Sequence, residues 1–213
     1  MTVSLTKSPP KQQSLLLQNI SWLTYQSLVK DIATQRGIRL TYDRGLLEIM
    51  APLDPHESYK KVLGRFVEAV TEELNIDFRS LGSRTCQRED LERGLEPDQC
   101  YYIENEPLVW NLEQIDLERD PPPDLVIEID FTSSSIDRMD LYATLGVPEV
   151  WRYDGTLKIC RLEEEEYVEC DRSLTFSFLS RSEIMRFLEL KKTIRENTLL
   201  RMFREWVRSQ ISR

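Results

Sequence analysis

One segment restricts the fold more than any other part of this sequence: residues 124–131 read Asp-Leu-Val-Ile-Glu-Ile-Asp-Phe. Its apolar and largely β-branched centre is typical of a strand that is buried on both faces of a sheet. The preceding Pro121-Pro-Pro123 cannot donate to a ladder of hydrogen bonds, so we expect the strand to begin after it. Such a strand needs cover on both sides of its sheet, and the segment therefore predicts an α/β domain.

Helical and strand patterns alternate along the rest of the chain. Apolar residues at helical spacing predict four helical regions: residues 22–35, 54–74, 136–145 and 180–213. Apolar and β-branched runs between turn signals predict strands or hairpins in five regions: residues 39–50, 76–81, 84–88, 99–103 and 149–161. Residues 132–135 offer N-cap candidates for the third helical region. This order predicts the fold class α/β (α+β), with a mixed sheet flanked by helices in a single domain.

The chain divides into three predicted parts. Residues 1–18 are predicted to be a flexible N-terminal lead, residues 19–179 the folded domain, and residues 180–213 a C-terminal helical extension. The lead lacks the basic patch and apolar core of a signal peptide, and no apolar run reaches the roughly 18 residues that a membrane span needs. We therefore expect a cytoplasmic protein with no membrane partner.

The charge balance limits the class of partner. The 213 residues include 28 Lys and Arg against 37 Asp and Glu, which gives a net charge of −9. Proteins that coat nucleic acid or anionic membranes by bulk charge are basic, so this class is disfavoured, although a local basic groove is compatible with the composition.

Cysteine and histidine usage limits the chemistry. The four cysteines contain no CxxC pair and His56 is the single histidine, so a zinc site of Cys and His ligands is disfavoured. A lone histidine also disfavours Ser-His-Asp and Cys-His catalysis. If the protein is an enzyme, we expect carboxylates to carry its chemistry, and free thiols to match a reducing cytoplasm.

Acidic residues stand at the ends of two predicted strands. Asp98 follows Pro97 just before the strand at residues 99–103, and Glu128 and Asp130 lie two apart on the buried strand, where they share one face. A buried strand does not carry several ionised carboxylates unless they are paired or hold a cation. Oxygens of Asp98, Glu128 and a backbone carbonyl would suit Mg²⁺ or Mn²⁺. The alternative is that these acids only end strands near the surface.

Several motifs occur together in a specific order. The sequence resembles the Uma2 (DUF820) family of restriction-endonuclease-like proteins over about residues 22–171. The resemblance is carried by five segments: Arg39-Leu-Thr-Tyr-Asp-Arg-Gly-Leu-Leu-Glu-Ile-Met-Ala-Pro-Leu53 with His56-Glu57, Glu96-Pro-Asp-Gln-Cys-Tyr-Tyr-Ile103, Asp120-Pro-Pro-Pro-Asp-Leu-Val-Ile-Glu-Ile-Asp130, Thr132-Ser-Ser-Ser135 and Gly146-Val-Pro-Glu-Val-Trp-Arg-Tyr-Asp154. Each motif alone is weak, and the combination is specific.

The resemblance implies a PD-(D/E)xK nuclease fold with a mixed sheet of four or five strands. Pro97-Asp98 matches the PD element and Glu128 the following acid, so the resemblance implies that Asp98 and Glu128 hold a divalent cation, with the Ile129 carbonyl completing its shell. Asp130 stands where the motif has lysine. The basic residue of this family is shifted onto the next helix, and Arg138 occupies that place. An arginine can bind phosphate in a bidentate manner, but it is a poor general base because it stays protonated.

Three of the candidate site residues also have a structural interpretation. Arg138 can stabilise phosphate, or it can pair with Asp137 or Asp140 on the helix surface. Glu57 stands where related nucleases supply another acid, and it also fits a capping box at the start of its helix. His56 can contact a metal-bound water or a phosphate, and a lone histidine at a helix start is otherwise a polar surface residue.

The C-terminal extension is locally basic. Arg201, Arg204 and Arg208 line one helix face opposite the apolar stripe. They are compatible with an arm that contacts phosphates, or with an amphipathic helix that closes the domain or pairs with a second subunit. Trp110 and the other tryptophans with apolar neighbours are interpreted as packing residues rather than base-stacking residues.

The sequence therefore predicts a metal-dependent endonuclease-like hydrolase that acts on phosphodiesters in DNA. Asp98 and Glu128 would be ligands of Mg²⁺ or Mn²⁺, Asp124 or Asp130 supporting acids, and Arg138 the phosphate stabiliser. A homodimer is expected if both strands are cut. One alternative is a catalytically silent nuclease fold that serves as a binding or regulatory module. Another is a glycosidase, which would need two acids across a sugar cleft and no metal.

Overall fold

A computed structural model describes residues 13–32, 37–51, 54–131 and 134–212, with the side chains of residues 13, 54 and 55 excepted. The described residues form eleven strands and six helices. In chain order they are β1 (Gln13–Leu17), α1 (Trp22–Ile32), β2 (Arg39–Asp43), β3 (Leu46–Ala51), α2 (Asp54–Leu74), β4 (Arg79–Ser80), β5 (Cys86–Arg88), β6 (Arg93–Leu95), β7 (Gln99–Tyr102), α3 (Glu106–Val109), β8 (Leu125–Ile129), α4 (Arg138–Thr144), β9 (Glu149–Tyr153), β10 (Leu157–Glu163), β11 (Glu166–Cys170), α5 (Arg181–Leu190) and α6 (Glu196–Ile211).

The strands are divided between two sheets. A five-stranded antiparallel sheet has the order β1-β3-β2-β6-β5, and a six-stranded sheet has the order β11-β10-β9-β8-β7-β4. In the six-stranded sheet β8 and β9 run parallel and are connected through α4, whereas the neighbouring pairs are antiparallel. The mixed sheet flanked by helices confirms the predicted fold class.

Strand β8 lies in the middle of this arrangement, and all five of its residues are buried. One face packs its residues Leu125, Ile127 and Ile129 against α2, α5 and α6. The other face packs Val126 against α4, in a cluster that also contains residues of the five-stranded sheet. The prediction of a strand buried on both faces is confirmed, and the shared cluster joins the two sheets.

Local details differ from the sequence predictions. Helix α4 is capped by Asp137 rather than by residues 132–135: its side chain accepts from the N–H of Met139 at 3.0 Å and of Asp140 at 3.3 Å. Residues 132 and 133 lie outside the described residues. Ser134 instead donates to the buried Glu48 carboxylate. The N-cap is Asp137 because α4 begins at Arg138, two residues after the start of the apolar pattern from which the helix was predicted.

The five-stranded sheet contains two strands that the sequence patterns did not predict. Strand β1 forms from Gln13–Leu17 within the predicted flexible lead and pairs with β3, so the lead prediction is wrong for these residues. Residues 1–12 lie outside the described part of the chain. Strand β6 is short and has no apolar alternation, and its Gly94 lies against the ring of Tyr25, where a Cβ would collide with the hydroxyl.

The C-terminal helices belong to the same core as the sheet. Phe203 of α6 stacks on Phe66 of α2, with ring centres 4.3 Å apart, and contacts Phe187 of α5 edge-on at 4.9 Å. Leu199 and Val207 are buried in the same cluster. The amphipathic helix α6 therefore closes the domain. Among the described helices, none is long and apolar enough to cross a membrane.

Candidate active site

Asp98 and Glu128 lie side by side at one end of β7 and β8. The antiparallel register pairs Gln99 with Ile127, so Asp98 is opposite Glu128 one step further along. Asp98 Oδ2 accepts a hydrogen bond from the N–H of Ile129 at 2.6 Å. The two acids that were predicted as a pair, thirty positions apart in sequence, are therefore neighbours at one end of adjacent antiparallel strands.

The Asp98 carboxylate is completely buried, with 0% of its surface exposed. Its Oδ2 also lies 3.1 Å from His56 Nε2, and its Oδ1 forms an ion pair with Arg39. A buried carboxylate of this kind depends on its cationic partner, because removal of the partner leaves an uncompensated charge.

The Glu128 carboxylate is held by two residues of α4. Its Oε1 accepts from Arg138 Nη2 at 2.6 Å and from the hydroxyl of Tyr142. Arg138 also donates to Thr41 Oγ1 at 2.6 Å and to the carbonyl of Glu96 at 2.8 Å. Burial opposes the charged guanidinium, but the Glu128 carboxylate outweighs it and raises the pKa of Arg138. Arg138 therefore stays charged inside the domain.

Two residues at the site were assigned differently or missed by sequence reasoning. The surface interpretation of Arg138, as a partner of Asp137 or Asp140, is wrong because its guanidinium points inward to Glu128. Arg39 was noted only as part of the family motif, although it is buried against Asp98. Burial lowers the pKa of Arg39, and the carboxylates around it oppose that shift. Arg39 begins β2, in which polar and apolar residues alternate, so no local pattern of the strand marks it as buried.

The first turn of α2 completes the site. His56 is 2% exposed, so its interpretation as a surface residue is wrong. Burial, and next the charge of Arg39, lower the pKa of His56 to about 4, which leaves the ring neutral at pH 7. Glu57 lies 3.6 Å from both Arg39 and Lys60. Glu57 thus faces the site, while the capping box with Asp54 involves side chains outside the described residues.

The other two candidate acids are separated along β8. Asp130 accepts two hydrogen bonds from Arg152, at 2.5 and 3.0 Å, beside the site. Asp124 lies at the opposite end of β8, four residues before Glu128 and therefore about 13 Å from it at the usual rise per residue. Its carboxylate accepts from the N–H groups of Ile103 at 2.6 Å and Asn105 at 3.0 Å. Asp124 therefore lies before the start of β8, away from the site, whereas Asp130 lies beside the site and lines the cleft.

A cleft of about 360 Å³ opens onto this site. Its polar wall contains four of the residues described above: Arg39, His56, Glu128 and Arg138. Its apolar wall contains Met50 of β3, Ile136 just before α4 and Met139 in the first turn of α4. Arg152 and Asp130 lie at one side of it. The cleft thus combines cationic groups with an apolar surface.

The donor set fits a divalent cation that uses few protein ligands. Within the described residues there is no group of three or more His, Cys, Asp and Glu side chains that could hold a metal. Mg²⁺ characteristically takes one or two carboxylates and completes its shell with water and substrate phosphates. Asp98 and Glu128 supply two carboxylates, and Arg39 is paired with Oδ1 of Asp98. Arg39 occupies that oxygen, so a cation would compete with it.

The basic face of α6 is engaged elsewhere. Arg204 contacts Glu72 and lies 3.2 Å from Glu73, and Arg208 donates to Glu73 at 2.6 and 2.9 Å. These contacts attach α6 to α2. The interpretation of this face as an arm for phosphates is therefore not supported for Arg204 and Arg208.

Comparison with known proteins agrees with the motif resemblance. A family model described as "Uma2: Putative restriction endonuclease" matches residues 22–193. A solved structure, the "putative nuclease belonging to DUF820" from Anabaena variabilis, is 17% identical with a TM-score of 0.48, and the match covers 69% of this chain and 89% of that one. No curated protein matches. Because the family model spans most of the sequence, the chain belongs to the Uma2 family.

Proposed function

We propose that the protein is a metal-dependent endonuclease that hydrolyses phosphodiester bonds in DNA. The observation that carries this proposal is the Asp98–Glu128 pair, two buried carboxylates held opposite each other. Glu128 lines the cleft together with the cationic side chains of Arg39 and Arg138. Membership of a family whose model is described as "Putative restriction endonuclease" supports the reaction class. Nucleases of this type generally use divalent metals.

Asp98 and Glu128 would hold Mg²⁺ or Mn²⁺. When bound, such an ion lowers the pKa of a water molecule and offsets charge on a phosphodiester. The chain's own groups orient the two acids: the Ile129 N–H and the neutral His56 ring fix Asp98, and Tyr142 fixes Glu128. His56 and Tyr142 are therefore positioning residues.

The two arginines supply the positive charge that the motif lysine would otherwise bring. Arg138 remains charged beside Glu128, and Arg39 lies beside Asp98, with both lining the cleft. Their guanidinium groups can bind phosphate oxygens, but neither can take a proton from water. In this proposal Arg138 would bind the substrate phosphate, and Asp98 would hold a divalent cation only with Arg39 moved away from its Oδ1.

The test is nicking of supercoiled plasmid by the purified protein with Mg²⁺ or Mn²⁺ at low salt. The variants Asp98→Asn and Glu128→Gln keep the shape of each side chain and remove its charge. Both should abolish nicking, while Glu163→Gln, at an exposed carboxylate paired with Arg161, should leave it unchanged. Nicking that persists in both site variants contradicts the proposal, provided that circular dichroism shows each variant to be folded.

A catalytically silent binding module is the second candidate. It is favoured by one observation, namely that each carboxylate already has an arginine partner, while Asp130 stands at the position of the motif lysine. The two candidates differ in cation binding. A rise in melting temperature with millimolar Mn²⁺ in the wild type, absent in Asp98→Asn, supports the enzyme, and no rise supports the silent module.

Two finer features belong to the same proposal. The four cysteines are free thiols, which is compatible with the reducing cytoplasm that the sequence predicts. Cleavage of both DNA strands would need two sites, so we propose a homodimer for that activity. Sedimentation of the protein with and without a duplex oligonucleotide measures the oligomeric state.

A further inference from the structure

Three aromatic rings form a cluster at the end of β8, which we call the aromatic platform. It consists of Tyr59 on α2, Phe131 after β8 and Tyr153 on β9. The ring centre of Phe131 lies 5.7 Å from that of Tyr59 and 5.8 Å from that of Tyr153, and the two tyrosine rings are 4.7 Å apart. Tyr153 is buried and Tyr59 half-buried, whereas Phe131 is 40% exposed. The two tyrosines thus support a phenylalanine ring that contacts solvent.

The platform adjoins the carboxylate cleft. Tyr59 lies one helical turn after His56 on α2, and His56 lines the cleft. Phe131 stands at the same end of β8 as Glu128 and Asp130, with its side chain on the opposite face of the strand. A strand of nucleic acid with a phosphate in the cleft would therefore have a neighbouring nucleotide within reach of the platform.

A cation lies on one of the aromatic rings. Lys191 just after α5 has its Nζ 4.5 Å from the ring centre of Tyr59. Arg152 precedes Tyr153 on β9, but its side chain is on the other face of the strand, where it pairs with Asp130 at the side of the cleft. Aromatic rings with basic side chains beside them are what proteins use to bind single-stranded nucleic acid, because bases stack on the rings while the cations follow the backbone.

Core packing explains only part of this cluster. Tyr59 packs against the main core and Tyr153 belongs to it. A single exposed apolar side chain is ordinary on a protein surface. Phe131 differs from such a residue because two further rings pack against it, Lys191 lies on one of them, and His56 of the candidate active site precedes Tyr59 by one helical turn. With a net charge of −9, the protein cannot rely on bulk attraction for DNA, and stacking offers binding energy that does not depend on it.

We propose that the aromatic platform stacks an unpaired base, so that the substrate class is single-stranded or locally unpaired DNA. In an intact duplex the base faces are stacked on their neighbours, and a side chain reaches them only after an unfavourable unstacking step. The inference rests on the proposed nuclease function, whose cleft receives the adjoining phosphate.

The experiment measures binding by fluorescence anisotropy in EDTA, where cleavage through a divalent cation is prevented. The probes are a labelled single-stranded 12-mer, the same strand with abasic sites, and its duplex. Wild type should bind the intact strand better than the abasic strand or the duplex. Phe131→Ala should weaken binding of the intact strand about 5- to 150-fold, the range that corresponds to the loss of one stacked base, and leave abasic binding unchanged.

Two further variants separate stacking from folding. Phe131→Trp keeps a stacking surface and should retain affinity, whereas Phe131→Leu keeps an apolar side chain without a ring and should lose it. Trp110→Ala is the matched control, because that ring is 64% exposed after α3, apart from the platform. Trp110 was interpreted as a packing residue, and its exposure shows that interpretation to be wrong.

Several results would overturn the platform. If the protein does not bind the intact strand, binds it no better than the abasic strand, or binds it more weakly than the duplex, the result contradicts base stacking. A loss of affinity in Trp110→Ala equal to that in Phe131→Ala contradicts the assignment of stacking to Phe131. These outcomes are independent of nicking. Nicking without base-dependent binding refutes the platform alone, and base-dependent binding without nicking refutes the proposed endonuclease alone.

Discussion

The pairing of Arg39 with Asp98 leads to a prediction that can be worked out in some detail. Arg39→Met keeps much of the side-chain volume and removes the guanidinium from a carboxylate with 0% exposure. Removal of one partner of a buried ion pair costs about 3–5 kcal/mol. Asp98 still accepts the hydrogen bond from the Ile129 N–H, and His56 Nε2 stays 3.1 Å from its Oδ2, so we expect the lower end of that range.

The assay is thermal unfolding at pH 7 in EDTA. At about 2–4 °C per kcal/mol for a chain of this size, a loss of about 3 kcal/mol lowers the melting temperature by about 6–12 °C. The matched control is Arg44→Met, at an exposed arginine paired with Asp43, and its melting temperature should change by less than about 2 °C.

The double variant Arg39→Met/Asp98→Asn completes the test. Because an asparagine side chain carries no charge, the double variant should be more stable than Arg39→Met alone, which a sum of two independent losses cannot produce. Mn²⁺ should raise the melting temperature of Arg39→Met by more than that of the wild type, since the cation no longer competes with the guanidinium. An Arg39→Met protein that melts within about 2 °C of wild type, or additive losses in the double variant, would refute the reasoning.

Two other predictions concern packing and pH. Gly94→Ala should destabilise the protein by about 1–3 kcal/mol in urea unfolding, because the added Cβ collides with Tyr25. Tyr25→Phe in the same chain should restore part of that loss, and a urea midpoint of Gly94→Ala equal to that of the wild type would contradict this reasoning. Hydrogen bonds from Arg208, and next from Arg204, hold the pKa of Glu73 below its ordinary value of 4.5, so this carboxylate stabilises the folded state above pH 4.5 and loses that effect as the pH falls through its folded pKa. Glu73→Gln should therefore be less stable than wild type at pH 7 and approach it in acid, and a constant difference across that range in urea melts would disprove the linkage.

The local elements could be predicted because their signals lie within a few residues. The hairpin around Arg44-Gly45, the apolar stripe of α2 and the buried centre of β8 each follow a periodicity that neighbouring residues complete. Strand β6 could not be predicted in this way, because three residues with a central Gly94 carry no pattern. Its place is decided by its pairing with β2, some fifty residues away.

The site was determined in part by the sequence itself. The positions of Asp98 and Glu128 at the ends of apolar strands indicated a carboxylate pair, because a strand that buries its apolar residues brings its terminal acids to the edge of the sheet. Alternation also placed Asp124 and Asp130 on the face of Glu128, but it does not say which end of the strand holds the site. That choice depends on where His56 and Arg39 pack.

Only the tertiary structure decided how these charges are balanced. The Arg138 spacing fits an inward guanidinium as well as a surface pair, and the inward direction follows from contacts with Thr41 and Glu128 on two different sheets. Arg39 reaches Asp98 across 59 positions of sequence. Periodicity specifies which face of an element is buried, but a buried charge is stable only beside a partner, and the identity of that partner is set by long-range packing.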